Sequence, residues 1–537
     1  MFIVKYYILA ALLCLFAAIL MPYVILQILF SWCFLSLTLV SFAYAFDIPS
    51  IFRKRQDGKI AAWIRWAYIP FLLGAKAYNA WARRYDTVPA IQQVLPGLYL
   101  SRRLLPSDLE ELNDKKINCI VDVTAEFVGL ESAMTDKKFN YLTIPTLDHK
   151  VPSLHKLIHA LNWIDTQLSL SQSVVVHCAL GRGRSVFVVA AYMLSKDSSL
   201  SVEEVLSKLN KTRSTAKLNR GQIKILHAIK NKEQLQFEKP AWLIANPVSG
   251  GKKWQENMQQ LIRELTKKYR LKIHETTKSS SAAEITQLAL SEGIDQIIVG
   301  GGDGTVTEVA TELINTKITL GIIPLGTANA LCHVLYGVTT KFSPIENACN
   351  AIVSGKAKEI DTAQCNKQTI LLLLGIGLEQ EMIKHAHREE KNTQGQLAYL
   401  SGFFNAALSE KTQKLKVTFD NEKAMTINAN SLVIANIAPF STVLAHGGKQ
   451  PEPDDGKLHI SYLAAASGVG ERILALSDIT LSSIGVKESS SLFEANTAKK
   501  VNITAEQPVD YVIDGEHFSS NSLTISINPK SLKVYTP

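Results

Sequence analysis

The first part of the sequence has almost no charge. Before Asp47 the only charged side chain is Lys5, so residues 1–46 form one long apolar run. The apolar core of a cleaved signal peptide has roughly 7–15 residues, and this run is far longer. It is about twice the ~20 residues that one helix needs to cross a bilayer. We therefore predict two transmembrane helices within residues 1–46, with the chain reversing near Pro22.

The sequence also lacks paired cysteines. Its seven cysteines are scattered, odd in number and without the close spacing of a disulfide scaffold or a zinc site. All of them except Cys178 are predicted to be small buried hydrophobic side chains. No folded region carries basic stripes interleaved with aromatics, and part of the net charge of +9 lies next to the apolar run. We therefore predict membrane lipids, and no nucleic acid, as partners.

The segment after the apolar run is basic and aromatic. It begins DIPSIFRKRQDGK, and the positive-inside tendency places this side in the cytoplasm. We predict an integral protein of the plasma or inner membrane with cytoplasmic catalytic domains, because a hairpin returns the chain to the side on which it began. Residues 60–86 mix tryptophan and tyrosine with arginine and lysine, which is typical of a helix in the headgroup region. Residues 47–93 are assigned to this interfacial segment, and a third span kinked at Pro70 is the alternative.

The pattern becomes globular after Pro96. Apolar strand patterns alternate with helical stretches, in the order LYLS, INCIVDVTAE, YLTIPTLD and SVVVHC. Such alternation predicts a mostly parallel, covered sheet whose functional loops lie at the carboxyl ends of the strands. Cys178 lies at one of these ends, so it is a candidate functional residue.

The loop HCALGRGRS places five residues between Cys178 and Arg184, and a helix pattern follows it. Backbone amides at the helix start, together with the arginines, favour an anionic thiolate, which is an effective nucleophile at phosphorus. Arg184 can bind two phosphoryl oxygens, and Ser185 can donate a hydrogen bond that helps the thiolate to leave. Asp148 is the candidate general acid. Asp122 is the runner-up, although its apolar strand favours a structural role.

The motifs HCALGRGRS, VDVTAE and PTLD resemble those of the cysteine-dependent dual-specificity phosphatases, over residues 94–238. The resemblance implies phosphate ester hydrolysis without a cofactor, with Cys178 as nucleophile and Asp148 as acid. The extra Arg182 resembles members that act on lipid phosphates. A phosphorylated lipid is therefore the expected substrate, and a phosphoprotein is the alternative.

The second half of the chain lacks a Walker A loop. Three other glycine turns follow apolar strands, in the order NPVSGG, GGGDGTVTE and PLGTAN. Glycines let the backbone approach phosphate closely, and a helix that starts at such a turn favours negative charge. A single glycine turn does not separate this site from other nucleotide sites, so the succession of three is the informative feature.

The three turns resemble the diacylglycerol kinase catalytic family, which includes bacterial lipid kinases and sphingosine and ceramide kinases. PEPDDGKLHI and VDYVIDGEHF resemble later elements of that family. The resemblance implies an ATP-binding domain at residues 239–357 and an antiparallel β-sandwich at residues 358–537. Alanine at position 330, where bacterial diacylglycerol kinases have aspartate, resembles the sphingosine kinases, so the expected substrate is diacylglycerol or a sphingoid-like alcohol.

The same resemblance implies ATP and Mg²⁺ as cofactors and assigns residues to them. Glu516 or Asp303 would help to deprotonate the lipid hydroxyl, and Asp454 and Asp455 would lie near the magnesium ion. The residues implied to line ATP are Asn246, Ser249, Gly250, Lys252, Gly302, Asp303, Gly304, Thr305 and Thr327.

The sequence thus predicts an α/β multidomain protein. The favoured hypothesis is a membrane-anchored bifunctional enzyme that phosphorylates a lipid alcohol and dephosphorylates a phosphate ester, on a lipid. Two alternatives are a lipid kinase fused to a protein phosphatase, and a scaffold or regulator with degenerate sites.

Overall fold

The computed structural model describes residues 2–130, 139–337, 342–377, 412–438, 451–464 and 493–537. The chain divides into two compact units. The first consists of Met1–Pro240 and Ile262–Lys272, and the second of Ala241–Leu261 and Ile273–Pro537.

The apolar run forms two helices, α1 (Phe2–Leu20) and α2 (Val24–Phe46), as predicted. By length and composition α2 could cross a membrane. The apolar part of α1, Val4–Leu20, is shorter than α2. Near the turn between them, Phe16, Ile19 and Ile25 are 63%, 70% and 81% exposed. So much exposed apolar surface is typical of side chains that face lipid.

The interfacial segment forms a 3-10 turn (Pro49–Phe52) and two helices, α3 (Ala62–Ala67) and α4 (Ile69–Arg84). Pro70 lies in the first turn of α4, where a proline is tolerated because the missing N–H has no partner inside the helix. The proline therefore begins a helix and does not kink a span. The 16 residues of α4 are fewer than a transmembrane helix needs, which favours the interfacial interpretation.

The hairpin, the interfacial segment and the phosphatase-like region share one hydrophobic core. Val40 and Tyr44 of α2 pack in the same cluster as Phe71 of α4 and as Ala125 and Leu147. The C-terminal end of α2 is thereby fixed to the region that carries Cys178.

The phosphatase-like region has a five-stranded sheet in the order β1-β2-β5-β3-β4. Only the β1–β2 pair is antiparallel, and Cys178 follows the central strand β5. Its strands are β1 (Ile91–Leu95), β2 (Leu98–Ser101), β3 (Ile117–Asp122), β4 (Asn140–Thr143) and β5 (Ser173–His177). Its helices are α5 (Leu109–Asp114), α6 (Leu154–Ser169), α7 (Arg184–Lys196), α8 (Val202–Thr212) and α9 (Arg220–Asn231).

The second unit begins with strands in the order β7-β6-β8-β9, in which β8 pairs in parallel with β6 and β9. The three glycine turns follow β6, β8 and β9, so they lie at one edge of the sheet. The strands are β6 (Pro240–Ala245), β7 (Arg270–Glu275), β8 (Gln296–Gly301) and β9 (Thr319–Pro324). The helices are α10 (Lys253–Leu265), α11 (Ala282–Ser291), α12 (Asp303–Leu313), α13 (Ala330–Tyr336) and α14 (Pro344–Ser354).

The rest of the second unit is antiparallel, as the alternating pattern predicts. Strands β14 and β17 each pair with both β12 and β13, so the strands enclose a single core. Strand β18 pairs in parallel with β9, which joins this part to the parallel strands. The strands are β10 (Lys356–Cys365), β11 (Gln368–Ile370), β12 (Leu373–Gly377), β13 (Gln413–Phe419), β14 (Met425–Ala435), β15 (Leu458–Ala464), β16 (Phe493–Ala498), β17 (Lys500–Ile513) and β18 (Glu516–Thr536).

Candidate active sites

The cysteine loop is tightly folded between β5 and α7. Cys178 is only 3% exposed, and the Ser185 hydroxyl donates to its sulfur at 3.2 Å. Gly181 has φ 66°, and a Cβ on it would lie 2.8 Å from the backbone of Ser101 and Arg102. Only glycine avoids both the strain and the clash. The loop therefore places the thiol beside Ser185, as the sequence predicts.

Arg184 is a buried and fixed cation. Its guanidinium binds both carboxylate oxygens of Glu126, at 2.8 and 2.9 Å, and donates to the Thr146 carbonyl at 2.8 Å. Burial alone would lower the pKa of Arg184, but the charges on Glu126 and Asp148 raise it well above its ordinary value. The guanidinium thus stays charged and is held in one plane, as bidentate phosphate binding requires.

Glu126 is a site residue that sequence reasoning missed. It follows β3 by four positions and is 5% exposed. The sequence feature that could have revealed Glu126 is its position at the carboxyl end of an apolar parallel strand. A carboxylate buried there needs a positively charged or hydrogen-bonding partner. The geometry makes Glu126 a positioning residue for Arg184.

Asp148 lies at the open side of the site. Its side chain is 44% exposed, and one carboxylate oxygen is 3.3 Å from the Arg184 guanidinium. A leaving group that enters from solvent can therefore meet this carboxyl, which agrees with the general-acid prediction. That role itself stays a prediction.

Asp122 occupies a different environment. It is fully buried and accepts hydrogen bonds from Lys54 at 2.5 Å, from Thr124 and from the Tyr141 hydroxyl. Burial raises the pKa of Asp122, but the charges of Lys54 and His177 outweigh it and hold the pKa below its usual range. An aspartate without a proton to give does not suit a general acid, so the structural role is favoured.

Two basic residues near the cysteine loop have acidic partners. Lys54, from the basic flank that the sequence assigns to lipid headgroups, has no exposed side-chain surface because it is paired with Asp122. Arg182 lies 3.4 Å from Asp86, which is also 3.6 Å from Arg102. Asp86 belongs to the interfacial segment, so this segment contributes directly to the surroundings of the cysteine loop.

The glycine turns of the second unit meet closely. A Cβ on Gly326 would lie 2.4 Å from the Gly302 Cα, and one on Gly250 would lie 2.1 Å from the Leu325 carbonyl oxygen. The Gly302 N–H donates to the Ser249 hydroxyl at 3.3 Å. The structure thus brings Ser249, Gly250 and Gly302 together in turns whose backbones are in close contact.

Side chains tie these turns to one another. Asn246 donates to the Thr305 hydroxyl at 2.9 Å, so two predicted residues are in contact. Lys253 donates to the Gly326 carbonyl at 2.5 Å, whereas the predicted Lys252 and Thr327 are exposed. The lysine that links the turns is therefore the neighbour of the one chosen from the sequence.

Asp303 begins α12 and is largely buried. Burial raises its pKa, although the backbone N–H groups of residues 329–331 donate to it. A Cβ on Gly304, the next residue, would lie 3.9 Å from a carboxylate oxygen of Glu516. The predicted residues Asp303, Gly304 and Glu516 are thus neighbours, although more than 200 positions separate Glu516 from the other two.

A second missed residue holds Glu516 in place. Asp514 and Gly515 form the tight turn between β17 and β18, with φ values of 47° and 98°. The Asp514 carboxylate accepts the N–H groups of Leu371, Leu372 and Leu373 at 2.7–3.0 Å. Burial raises the pKa of Asp514 to about 6. Asp514 is therefore a positioning residue for the Asp-Gly-Glu element.

Asp454 and Asp455 have basic partners. Asp454 lies 2.8 Å from Lys358, and Asp455 lies 2.7 Å from His459. Within the described ranges no three His, Cys, Asp or Glu side chains form a group that could hold a metal ion. Their role near magnesium stays a prediction.

Comparisons with known proteins match each half of the chain to an enzyme family. The sequence model of the dual specificity phosphatase catalytic domain matches residues 98–232, and that of the diacylglycerol kinase catalytic domain matches residues 240–365. An uncharacterized protein of Synechocystis is 33% identical over 311 residues, which cover 56% of this chain and 70% of that protein.

Two further similarities concern the kinase family. The diacylglycerol kinase of Bacillus subtilis is 25% identical over 289 residues, 52% of this chain and 90% of that protein. A crystal structure of a diacylglycerol kinase from Bacillus anthracis covers 56% of this chain and 97% of its own, at 23% identity and a TM-score of 0.42. The family models thus identify two catalytic domains in this chain, a dual specificity phosphatase domain at residues 98–232 and a diacylglycerol kinase domain at residues 240–365.

Proposed function

We propose that this protein is a membrane-anchored bifunctional enzyme. One site transfers phosphate from ATP to a lipid alcohol, and the other hydrolyses a phosphate monoester on a lipid. The observation that carries the proposal is the core shared by the apolar hairpin and the phosphatase-like region, in which Tyr44 packs with Ala125 and Leu147. We infer that this core keeps Cys178 near the membrane surface, where lipid headgroups are concentrated.

In the phosphatase reaction the Cys178 thiolate attacks phosphorus and forms a phosphocysteine. The bond to the ester oxygen breaks, and Asp148 protonates the departing alcohol. Arg184 balances the charge on the phosphoryl oxygens, which it can do in a fixed plane because Glu126 holds it. Water then attacks phosphorus, inorganic phosphate leaves, and the Ser185 hydroxyl stabilises the released thiolate.

In the kinase reaction the backbone at Gly302 and Gly326, which carries no side chains, lets the ATP phosphates approach closely. Among the residues that the structure describes, the buried Asn329 amide oxygen has no hydrogen-bond partner, so an acceptor is free at the same turn. Glu516 or Asp303 takes the proton of the lipid hydroxyl as that oxygen bonds to the γ-phosphorus and ADP leaves.

We expect Mg²⁺ to bind together with ATP. When bound, the ion supplies positive charge that offsets the phosphate oxygens. Magnesium in such sites is held by one or two carboxylates together with phosphate oxygens and water, so it needs no ready group of three protein ligands. Asp454 and Asp455 offer carboxylates, each of which would have to exchange its present partner, Lys358 or His459.

The kinase is tested with the purified full chain, radiolabelled ATP and a panel of lipid alcohols in mixed micelles. The wild type should label at least one lipid. Asp303→Asn should lower that labelling by about a hundredfold or more, the scale of losing a polar group aimed at the reacting centre. It should leave hydrolysis of an aryl phosphate intact, because the two sites share no residue. Equal loss of both activities would contradict two separate sites.

The phosphatase substrate is tested with lipid phosphates against a panel of phosphopeptides, with Cys178→Ser as the blank. Faster turnover of lipid phosphates supports the proposal, and faster turnover of phosphopeptides supports a protein phosphatase instead.

Membrane anchoring is tested on cell membranes. The full chain should resist carbonate and salt and require detergent for release, because a salt wash does not reverse burial of apolar helices in lipid. Release by carbonate alone would contradict an anchor at residues 1–46.

A further inference from the structure

The cysteine loop opens into a cavity of about 890 Å³, lined on its polar side by Cys178, Arg184 and Asp148. The facing wall does not come from the phosphatase family domain. It comes from the hairpin and from α4, through Tyr7, Ala10, Leu37, Tyr44, Phe71 and Gly74.

This wall is fixed in relation to the thiol. The Tyr7 ring packs edge-on against those of Tyr44 and Phe71, with centroids 5.5 and 5.6 Å apart. Asn79 of α4, only 3% exposed, donates to the carbonyl of Ala179, the residue after Cys178. The hairpin end, α4 and the cysteine loop therefore form one packed assembly.

The polarity of the cavity changes along its length. At one end are a thiol, a buried guanidinium and carboxylates. At the other, Ala10 lies one turn beyond Tyr7 in α1, and Leu37 lies two turns before Tyr44 in α2, so the lining continues into the hairpin on the same helix faces. A phosphate with an attached alkyl chain matches this gradient, whereas a phosphopeptide would leave its polar backbone against apolar side chains.

We infer that the N-terminal hairpin and α4 are the chain-binding half of the phosphatase site. The substrate is a phosphate monoester of a long-chain amphiphile: its phosphate lies on the cysteine loop and its alkyl chain lies along Tyr7, Phe71 and Gly74. This inference rests on the proposed lipid phosphatase function and gives the membrane segment a role in specificity beyond anchoring.

Gly74 allows a sharp test. A Cβ on Gly74 would meet no atom within 4 Å, so a larger side chain begins in open space at the cavity wall. Replacing an exposed helical glycine also favours the helix, so Gly74→Leu should fold. Ala77 is exposed on the same helix and does not line the cavity, so Ala77→Leu is the matched control.

The experiment measures inhibition of aryl phosphate hydrolysis by butyl-, octyl- and dodecylphosphonate, with the full chain at one detergent concentration. In the wild type and in Ala77→Leu, affinity should rise with chain length. In Gly74→Leu, affinity for dodecylphosphonate should fall about tenfold, the effect of losing roughly two buried methylene groups. In Gly74→Leu, affinity for butylphosphonate should fall less than affinity for dodecylphosphonate. In Ala77→Leu, butylphosphonate affinity and the rate with aryl phosphate should stay within about twofold of the wild type.

Two results would overturn the inference: wild-type affinity that does not depend on chain length, or equal weakening by Gly74→Leu and Ala77→Leu. Neither touches the proposed function, which fails separately if the wild type does not hydrolyse lipid phosphates.

Discussion

The two candidate sites of this chain offer phosphate opposite kinds of contact. The phosphatase site uses side chains: a buried arginine paired with Glu126, next to a thiol at the start of a helix. The kinase site uses backbone, because a Cβ on Gly250 or Gly326 would clash where the glycine turns meet. Both lie at the carboxyl ends of parallel strands, so the fold supplies the location and the loops supply the chemistry.

The two sites also differ in the sign of the charge on their fixed side chains. In the phosphatase site Arg184 is held permanently positive. In the kinase site the nearby ionisable groups include the acidic residues Asp303, Asp514 and Glu516, and burial raises the pKa of the first two. We infer that one site neutralises phosphate charge with its own residues, whereas the other depends on a cation that accompanies the nucleotide.

The largest expected effect comes from removing the nucleophile. Cys178→Ser should lower aryl phosphate hydrolysis by about a thousandfold or more, because the hydroxyl is not ionised as a thiolate is. The variant should still bind phosphate, since Arg184 and the loop amides remain, and its lipid kinase rate should match the wild type. Phosphate release would be followed colorimetrically. A variant that kept its rate would refute thiol chemistry.

The next effect separates the sites by their need for a cation. Adding EDTA should reduce ATP-dependent lipid phosphorylation by about a hundredfold or more, and added Mg²⁺ should restore it. The phosphatase rate in the same buffer should stay within about twofold, because Arg184 and the helix start supply its positive charge. Loss of phosphatase activity in EDTA would contradict the conclusion that the phosphatase site supplies its own positive charge.

A smaller and selective effect is expected at Asp148. Asp148→Ala should slow the hydrolysis of alkyl phosphates by about a hundredfold, since an alkoxide needs a proton to leave. Hydrolysis of an aryl phosphate with an acidic phenol should change far less. Asp148→Asn, which keeps the shape and loses the proton, should behave like the alanine variant. Equal slowing of both substrates would remove Asp148 as the acid.

The smallest effect is structural. Asp514→Ala should lower the free energy of unfolding by about 1–3 kcal/mol, because three buried N–H groups lose their acceptor. Asp510→Ala, at an exposed position of the same strand, is the control and should change stability by less than about 0.5 kcal/mol. Urea unfolding of the two variants measures the difference, and equal curves would contradict the role given to Asp514.

Because the pKa of Asp514 is raised, its contribution to the free energy of unfolding should depend on pH. Its folded value of about 6 lies above that of an unfolded aspartate, so folding favours the protonated form. This stabilising contribution is present below the unfolded pKa and is lost as the pH rises through about 6. The wild type should therefore gain stability relative to Asp514→Asn when the pH is lowered from about 7 to about 5.

Local patterns predicted most of the elements and the centre of each site. The apolar run predicts the hairpin, and strand-loop-helix spacing places Cys178 at the end of β5 and Gly302 after β8. These features depend on residues close in the chain, and hydrophobic periodicity and glycine conformation act at that range.

Contacts between residues far apart in the chain could not be predicted from the sequence. Glu126 meets Arg184 across 58 positions, Asp514 meets Leu371 across 143, and Lys54 meets Asp122 across 68. A buried carboxylate reveals that it needs a partner, but the pairing of strands decides which partner it receives.

The sequence by itself determined that this chain has an apolar hairpin, a thiol loop and three glycine turns, because each is a local pattern of residue types. Only the tertiary structure decided that the hairpin ends beside the thiol, with Tyr7 and Tyr44 facing Cys178 across one cavity. That arrangement follows from burial of a common core by segments that no local pattern relates, and burial is a property of the folded chain.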